Sequence, residues 1–436
     1  MKEMTEKLVI NNLGPIKNCE LYIKDYMVFT GQQASGKSTI AKSIFFFKNI
    51  KNLLTLLIKK QLFFIGKEIN ISLKNKLIKE IRLNFLQVFG STWGMSQNMA
   101  MNYYYNEKEE VFIKIYLKRD YNNPNYIWVE FSENLIKKIA ELENIFKNRS
   151  VLESSEELKQ IINNIFKDEY DVIYIPAGRS MITLLSSQLN YIYSSMEDIQ
   201  KKSIDYCTQS YLENILKLKV NFNNTLDNLI NDMIKMSSLE LDINRLNLAS
   251  NMVKRILKGN YINVAGEERL QLDDKSKGYV KINFASSGQQ EVLWILNTLF
   301  YYLLNNKKAY FVIEEPESNL FPSAQKLVVE FISLIQNSGN KILLTTHSPY
   351  VLGTLNNLLY ANDIYCYNNL KKDRINKIIK KEFWINYNNF LPYFFENGIV
   401  KNCFDEDGRC IKNEVIDEAS SIINKEFDEL LEIGEV

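Results

Sequence analysis

The run Phe29–Phe47, "FTGQQASGKSTIAKSIFFF", holds Gly31, four intervening residues and then Gly36-Lys37-Ser38. A short β-prone stretch, "YMVFT", leads into it, and a helix-like run follows. Glycines suit positions where backbone N–H groups must turn inward onto phosphate oxygens, because a side chain would block the approach. Strand, glycine loop and helix, in that order, make a phosphate cradle. Its candidate members are Gly31, Gln32, Ala34, Ser35, Gly36, Lys37, Ser38 and Thr39. Lys37 would set its ammonium at the β and γ phosphates of ATP, and Ser38 its hydroxyl on Mg²⁺.

A second group lies in "AYFVIEEPESNLFP", where an apolar strand runs straight into Glu314-Glu315-Pro316. Two adjacent carboxylates at the C-terminal edge of a parallel sheet are costly unless they serve a cation or a water. Glu314 is expected to face Mg²⁺. Glu315 is expected beside an attacking water that it orients or deprotonates. His347, the one histidine of the chain, follows the strand "KILL" in "TTHSPY". It could hydrogen-bond a γ-phosphate; taken alone it would read as an ordinary strand-end histidine. "ASSGQQE", Ala285 to Glu291, stands before a helix. Ser286, Ser287, Gly288 and Gln289 could form a second anion site from free N–H groups and the helix dipole. One chain cannot easily bring this site and the glycine loop to the same phosphate, so two chains head to tail are the economical arrangement. A plain N-cap at Ser286 or Ser287 is the competing explanation.

The elements around these groups read as follows. "KLVINN", "CELYIK" and "YMVFT" are strands, with a turn at Gly14-Pro15. Helices are expected at 37–48, 52–64 and 73–89. "MNYYYN", "EVFIKIYLK" and "YIWVEFS" suit a three-stranded antiparallel sheet. Residues 133–166 and 181–257 read as helical, with the strand and loop "YDVIYIPAGRS" between them. "YINVAG" and "YVKINFA" form a two-strand unit joined by the charged loop "EERLQLDDKSKG". Then come helix, strand, helix and strand, with the two apolar strands buried in a parallel sheet. "DIYCYN" is expected as a strand, Lys371–Lys381 as a basic patch that could touch nucleic acid or else be a solvated hairpin turning at "KKD", and 414–431 as an acidic amphipathic helix.

The bulk numbers exclude several classes. With 436 residues, 46% of them hydrophobic, the chain can bury a core in two or three domains, or in one with a large insertion. Its 53 basic and 52 acidic residues leave no global footprint for nucleic acid or membrane. No apolar run approaches the ~18 residues of a membrane span, and the N-terminus lacks a signal-peptide shape. A cytoplasmic protein with no membrane partner is expected. Cys19, Cys207, Cys366, Cys403 and Cys410 read as buried or idle thiols.

Together these motifs resemble the ABC-type ATPase heads of the SMC and OLD-like families. "GQQASGKS" looks like the Walker A, "ASSGQQE" the signature, "YFVIEE" the Walker B, "PESNL" the D-loop and "TTHSP" the histidine switch. The match covers residues 5–50 and 280–365. "EEPESNL" and "TTHSP" look most like the ATPases of bacterial anti-phage systems of the PARIS and Septu type. This sequence departs from the families at Glu314, where ABC proteins commonly have Asp, at Ser287, where transporters have Gly, and at Phe321, where OLD-like proteins often have His. Gln87 and Gln97 both compete for the family's glutamine loop, and Arg179 in "PAGRS" is open between a nucleotide contact and a structural ion pair.

The resemblance implies an α/β fold: a P-loop NTPase head with a mostly parallel sheet, an antiparallel β subdomain and a large helical insertion. The expected division is an N-terminal ATPase lobe at 1–132, a mainly helical insertion at 133–258, a C-terminal ATPase lobe at 259–365, and a partner-contact region at 366–436. ATP and Mg²⁺ are the expected cofactors, with Glu315 and His347 catalytic and Ser38 and Glu314 on the metal. A homodimer or higher homo-oligomer is expected, with the signature acting in trans. The chain is expected to sense a trigger, DNA or a phage protein, and to control a separate effector, a nuclease. No Toprim-sized segment follows the histidine motif, and "FDEDGR" reads as a solvated turn. The alternative is an SMC-like DNA-repair or DNA-processing ATPase, for which the helical stretch is short.

Overall fold

Alternating burial along Lys7–Leu13 (β1) and Ile16–Tyr22 (β2) makes an antiparallel hairpin that turns at Gly14. The computed structural model describes residues 6–63, 72–120, 123–147, 155–184, 195–196, 204–236, 241–272, 278–367, 369–412 and 425. Tyr26–Gly31 (β3) is buried on both faces and enters the glycine loop, from which Lys37–Phe63 (α1) departs. The helices expected at 37–48 and 52–64 are this one helix. The polar residues at its middle are satisfied in place: Lys48 pairs with Glu6 and Asp168, and Lys51 with Asp168.

Leu73–Phe89 (α2) follows, capped by the Ser72 hydroxyl. Ala100–Asn106 (β4), Val111–Asp120 (β5) and Asn123–Phe131 (β6) pair antiparallel as expected. Glu133–Lys147 (α3) and Ser155–Phe166 (α4) lead to Asp171–Ile175 (β7) and the short Ser180–Leu184 (α5). Tyr206–Lys219 (α6), Leu226–Met236 (α7) and Ile243–Leu257 (α8) are the described helices of the 181–257 stretch.

The charged "EERLQLDDKSKG" is not only a loop. Asn260–Val264 (β8), Glu267–Gln271 (β9) and Tyr279–Lys281 (β10) form a three-stranded sheet. Ala265 and Gly266 both have positive φ, 52° and 90°, which fits a two-residue hairpin turn; Glu268 and Leu270 are buried on one face, where Glu268 accepts from Lys219 and Tyr261, while Glu267 and Arg269 lie on the other.

Ser287–Leu304 (α9), Ala309–Glu314 (β11), Pro322–Gln336 (α10) and Lys341–Thr345 (β12) follow in the expected order. "DIYCYN" is not a strand. It is the end of Pro349–Tyr367 (α11), where Tyr365 packs on Trp384 and Asp363 pairs with Arg409. The basic stretch is not a hairpin either: Lys372–Ile378 (α12) is helical and buries Ile375. The acidic helix expected at 414–431 lies outside the described residues, apart from residue 425.

Four strands of the C-terminal region are not anticipated from sequence. Phe390–Glu396 (β13) and Ile399–Asn402 (β14) form a hairpin turned at Asn397-Gly398, both at positive φ. The Asn-Gly dipeptide between apolar runs was the available signal. Phe404–Asp405 (β15) and Cys410–Ile411 (β16) make a last small hairpin around "EDGR".

Eleven strands share one sheet in the order β6-β5-β4-β1-β2-β14-β13-β3-β12-β11-β7. The strands β13, β3, β12, β11 and β7 run parallel. Their side chains divide between two cores by strict alternation. Met27 and Phe29, Tyr310 and Val312, and Leu343 join one core; Tyr26 and Val28, Phe311 and Ile313, and Ile342 and Leu344 join the other. Burial on both faces is why these strands read as continuous apolar runs.

Candidate functional site

Strand register assembles the site. Glu314 at the end of β11 pairs with Thr345 of β12, and Thr345 pairs with Phe29 of β3. The glycine loop, the carboxylate pair and His347 therefore leave one sheet edge together, although some 280 residues separate the loop from the carboxylates in sequence. This is the C-terminal edge, where parallel α/β sheets bind ligands.

In the loop, Gly31 and Gly36 have φ of 133° and 104°, and Ala34 has 58°. A Cβ on Gly31 would lie 2.2 Å from the carbonyl oxygen of Phe395, and one on Gly36 would lie 2.3 Å from Cδ1 of Ile16. Lys37 Nζ donates to the carbonyls of Gly31 (2.9 Å) and Gln32 (2.7 Å) and lies 3.4 Å from Ser35 Oγ. Burial pushes Lys37 down to about 8, against the pull of Glu315 and Glu317. Gln32, Ala34 and Ser38 are exposed, Thr39 half-buried, and Ser35 buried. Beside Ser38 and Thr39 runs a groove of about 730 Å³, bounded by Asn12 and Lys17 of the β1–β2 hairpin and by Phe89 and Met95. Its size and mixed polarity suit a nucleoside. Of the two glutamines, exposed Gln97 adjoins Ser96, which lines the groove, while Gln87 sits half-buried in α2.

Glu314 is buried. Its Oε2 accepts the Ala177 N–H at 3.2 Å; the buried Tyr174 hydroxyl lies beside the carboxylate, and Oε1 is buried without a partner in hydrogen-bond geometry. A buried carboxylate oxygen left in this way is costly, and a cation satisfies it. These residues thus fit Mg²⁺: Glu314 and the exposed Ser38 hydroxyl would hold it, and such an ion would neutralise phosphate charge. Glu315 is half-buried at φ 43°, a left-handed backbone that strains a side-chain-bearing residue. Its carboxylate accepts from Ser318 Oγ at 3.3 Å and lies 3.7 Å from His347 Nε2. Burial and the neighbouring Lys37 hold His347 below its ordinary pKa, while Glu315 opposes them. A neutral imidazole there can donate its one N–H to a phosphate oxygen.

Three supporting residues were missed or left open in sequence. Glu317 Oε1 accepts from Thr346 Oγ1 (2.6 Å) and the His347 N–H (2.9 Å), fixing the histidine turn, and burial raises its pKa. Arg179 is fully buried and structural. It donates to the carbonyls of Pro176 (2.6 Å), Glu314 (2.5 Å), Glu315 (2.9 Å) and Glu291 (3.0 Å). Glu291 in turn accepts the N–H groups of Arg179 and Ser180, both at 3.0 Å. A carboxylate inside the apolar run "EVLWIL" was the signal for Glu291.

At the start of α9, Ser286 is the N-cap, in a capping box with Gln289. Gln289 also donates to the Leu257 carbonyl at 2.7 Å. The capping explanation therefore holds for Ser286. The exposed Ser287 takes no part in the box, and Gly288 packs against the D-loop, where a Cβ would lie 2.5 Å from the Asn319 carbonyl oxygen.

A glycine loop between β3 and α1 on a parallel sheet, with acidic residues at the end of β11, one strand removed across β12, defines a P-loop NTPase head. The family model described as AAA ATPase domain matches residues 4–352, and the chain belongs to that family. It is an ATPase of this kind. No curated protein matches the chain. Solved structures to which it is similar include the SmcHead bound to the C-winged helix domain of ScpA (11% identity, TM-score 0.41, covering 92% of this chain and 97% of that one). They also include the SMC head domain from Thermotoga maritima (9%, 0.36, covering 92% and 98%). A third is the Smc head domain with an extended coiled coil bound to the C-terminal domain of ScpA, derived from Pyrococcus furiosus (12%, 0.36, covering 91% and 95%). Superpositions this loose add nothing to the fold read from strand order.

Proposed function

We propose that the chain binds ATP with Mg²⁺ through the Gly31–Thr39 loop and hydrolyses it with Glu315 as the group that orients or deprotonates water. The observation that carries this is the sheet-edge register that gathers Lys37, Glu314, Glu315 and His347. Glu314 and Ser38 hold the metal, and His347 contacts the γ-phosphate. Two copies close head to tail, with Ser287, Gly288 and the adjoining Ser286 and Gln289 of one facing the nucleotide of the other. Exposed Phe284 (78%) and Phe321 (76%), beside the signature and in the D-loop region, support an apolar face covered on closure.

In this reading the nucleotide state controls a separate effector, a nuclease, in a cytoplasmic anti-phage complex of the PARIS or Septu type, triggered by DNA or a phage protein. The motifs "EEPESNL" and "TTHSP" support it, together with the absorption of the chemistry-bearing residues into the nucleotide site. The effector would dock on the helical insertion, 133–258, or on the C-terminal region, 366–436. The described insertion helices α6 and α8, of 14 and 15 residues, are about 20 Å long. That favours a regulator over the long-armed, SMC-like DNA-processing alternative. Among the described residues no helix is long and apolar enough to cross a membrane.

The test uses the full chain. Glu315→Gln with ATP and Mg²⁺ should assemble in light scattering, and Ser287→Arg, which leaves the N-cap intact, should prevent it. Mixing the two variants should rebuild one composite site. Monomers throughout would remove the in-trans assignment. Co-expression with the neighbouring gene product should show ATP-dependent control of its cleavage; ATP-dependent DNA binding without such control would favour the SMC-like alternative.

A further inference from the structure

A second groove, of about 470 Å³, runs between α11 and α12 and shares no lining residue with the one beside Ser38. Its walls are apolar: Ala361 and Ile364 on α11, with Ile375, Ile378 and Ile379 opposite. Ile378 is 83% exposed and Tyr360, also on the wall, 61%. Lys371 and Arg374 line the same groove. From 371 to 381 six basic residues stand against one acidic residue, Asp373, and all six are exposed. An apolar trough with a cationic rim fits an acidic segment that also carries apolar side chains.

The chain holds such a segment. Residues 413–436 contain eight carboxylates and one lysine, interspersed with Val415, Ile416, Ile422, Ile423, Phe427 and Leu430. The described chain ends beside the groove. The Ile411 N–H donates to Asn356 Oδ1 at 2.8 Å, and Asn356 Nδ2 donates to the Ile411 carbonyl at 3.1 Å. Asn356 immediately precedes Asn357, a lining residue. Arg409 pairs with Asp363 on the same helix. Ile411, two residues before this segment, is thus tied to the helix that forms one wall of the trough, which raises the effective concentration of whatever follows it there.

We propose that residues 413–436 dock in cis in the α11–α12 groove, with carboxylates against Lys371 and Arg374 and apolar side chains against Ile375 and Ile378. The helix α11 begins at Pro349, two residues after His347, so the occupant of this groove sits on the element that leaves the nucleotide site. A partner that took the groove would displace the segment.

Hydrogen exchange on the full chain tests this without truncation. Amides within 413–436 should exchange at least about tenfold more slowly than free peptide, independently of protein concentration. Lys371→Glu with Arg374→Glu, and separately Ile378→Asp, should remove that protection while the exchange of β3 and β11 stays unchanged. These positions are exposed, so the fold survives both changes. Salt at about 1 M, where screening acts within ~3 Å, should weaken protection in the wild type. Absence of protection, or protection indifferent to both variants, would overturn the proposal. Protection that grows with concentration would overturn the cis arrangement in favour of docking on a second copy.

Discussion

Arg179 donates from Nη2 to the backbone carbonyl of Glu315, 2.9 Å away. The same guanidinium reaches the carbonyls of Glu314 and of Glu291, in the first turns of α9. The turn that bears Glu315 is therefore tied to α9, the helix that begins at Ser287. Removing the cation leaves the buried Glu291 carboxylate uncompensated. Arg179→Ala should lose about 3–5 kcal/mol in urea unfolding, and a second change, Glu291→Met, should recover part of it. Arg179→Lys should retain more stability yet turn over ATP more slowly, because a point charge cannot span several carbonyls.

Lys37 governs a pH dependence. Its pKa in the folded chain, about 8, lies below the ordinary 10.5 because burial disfavours the charged form. Polyphosphate needs the ammonium, so binding above pH 8 must take up a proton. Affinity for ATP should fall toward tenfold per pH unit between pH 8 and 10, measured by calorimetry in buffers of different ionisation heat. The stability sign is separate. The unfolded chain binds the extra proton between pH 8 and 10.5, so the Lys37 contribution to stability rises across that window. The stability difference between wild type and Lys37→Met should shift in favour of the wild type there and stay flat below pH 8.

Glu315 is expected to serve turnover more than binding. Glu315→Gln should keep ATP affinity and slow hydrolysis at least ~100-fold. Loss of affinity without a specific loss of turnover would exchange its role with that of Glu314. The backbone offers an independent check. At φ 43°, Glu315→Gly should be more stable than Glu315→Ala by up to about 1 kcal/mol, the reverse of the order in a helix.

Gly31 and Gly178 both have positive φ, but only Gly31 lacks room for a Cβ. Gly31→Ala would drive a methyl into the Phe395 carbonyl and should cost more than about 2 kcal/mol in thermal or urea unfolding. Gly178→Ala, with nothing within 4 Å, should cost only the backbone strain, about 1–2 kcal/mol. Equal costs would mean that β13 does not hold the loop closed.

Local chemistry was legible in the sequence. The glycine spacing before Lys37, the apolar run ending in Glu314-Glu315, and the alternation in β4 to β6 depend on near neighbours, and their readings needed no tertiary contact. Segments whose state depends on distant partners were not legible. "DIYCYN" has the look of a strand, yet Trp384 and Arg409 hold it in a helix. The charged stretch at 267–271 pairs as a strand because β8 and β10 flank it on both sides. Arg179 shows the same limit at the site: its sequence suited a nucleotide contact or an ion pair equally, and only full burial against the end of β11 and against α9 decided for a structural role. Residue types and spacing named the candidate groups. The strand register, set by alternate side chains filling two cores, decided which of them share an edge, because a slip of one residue would send each strand's side chains to the opposite face.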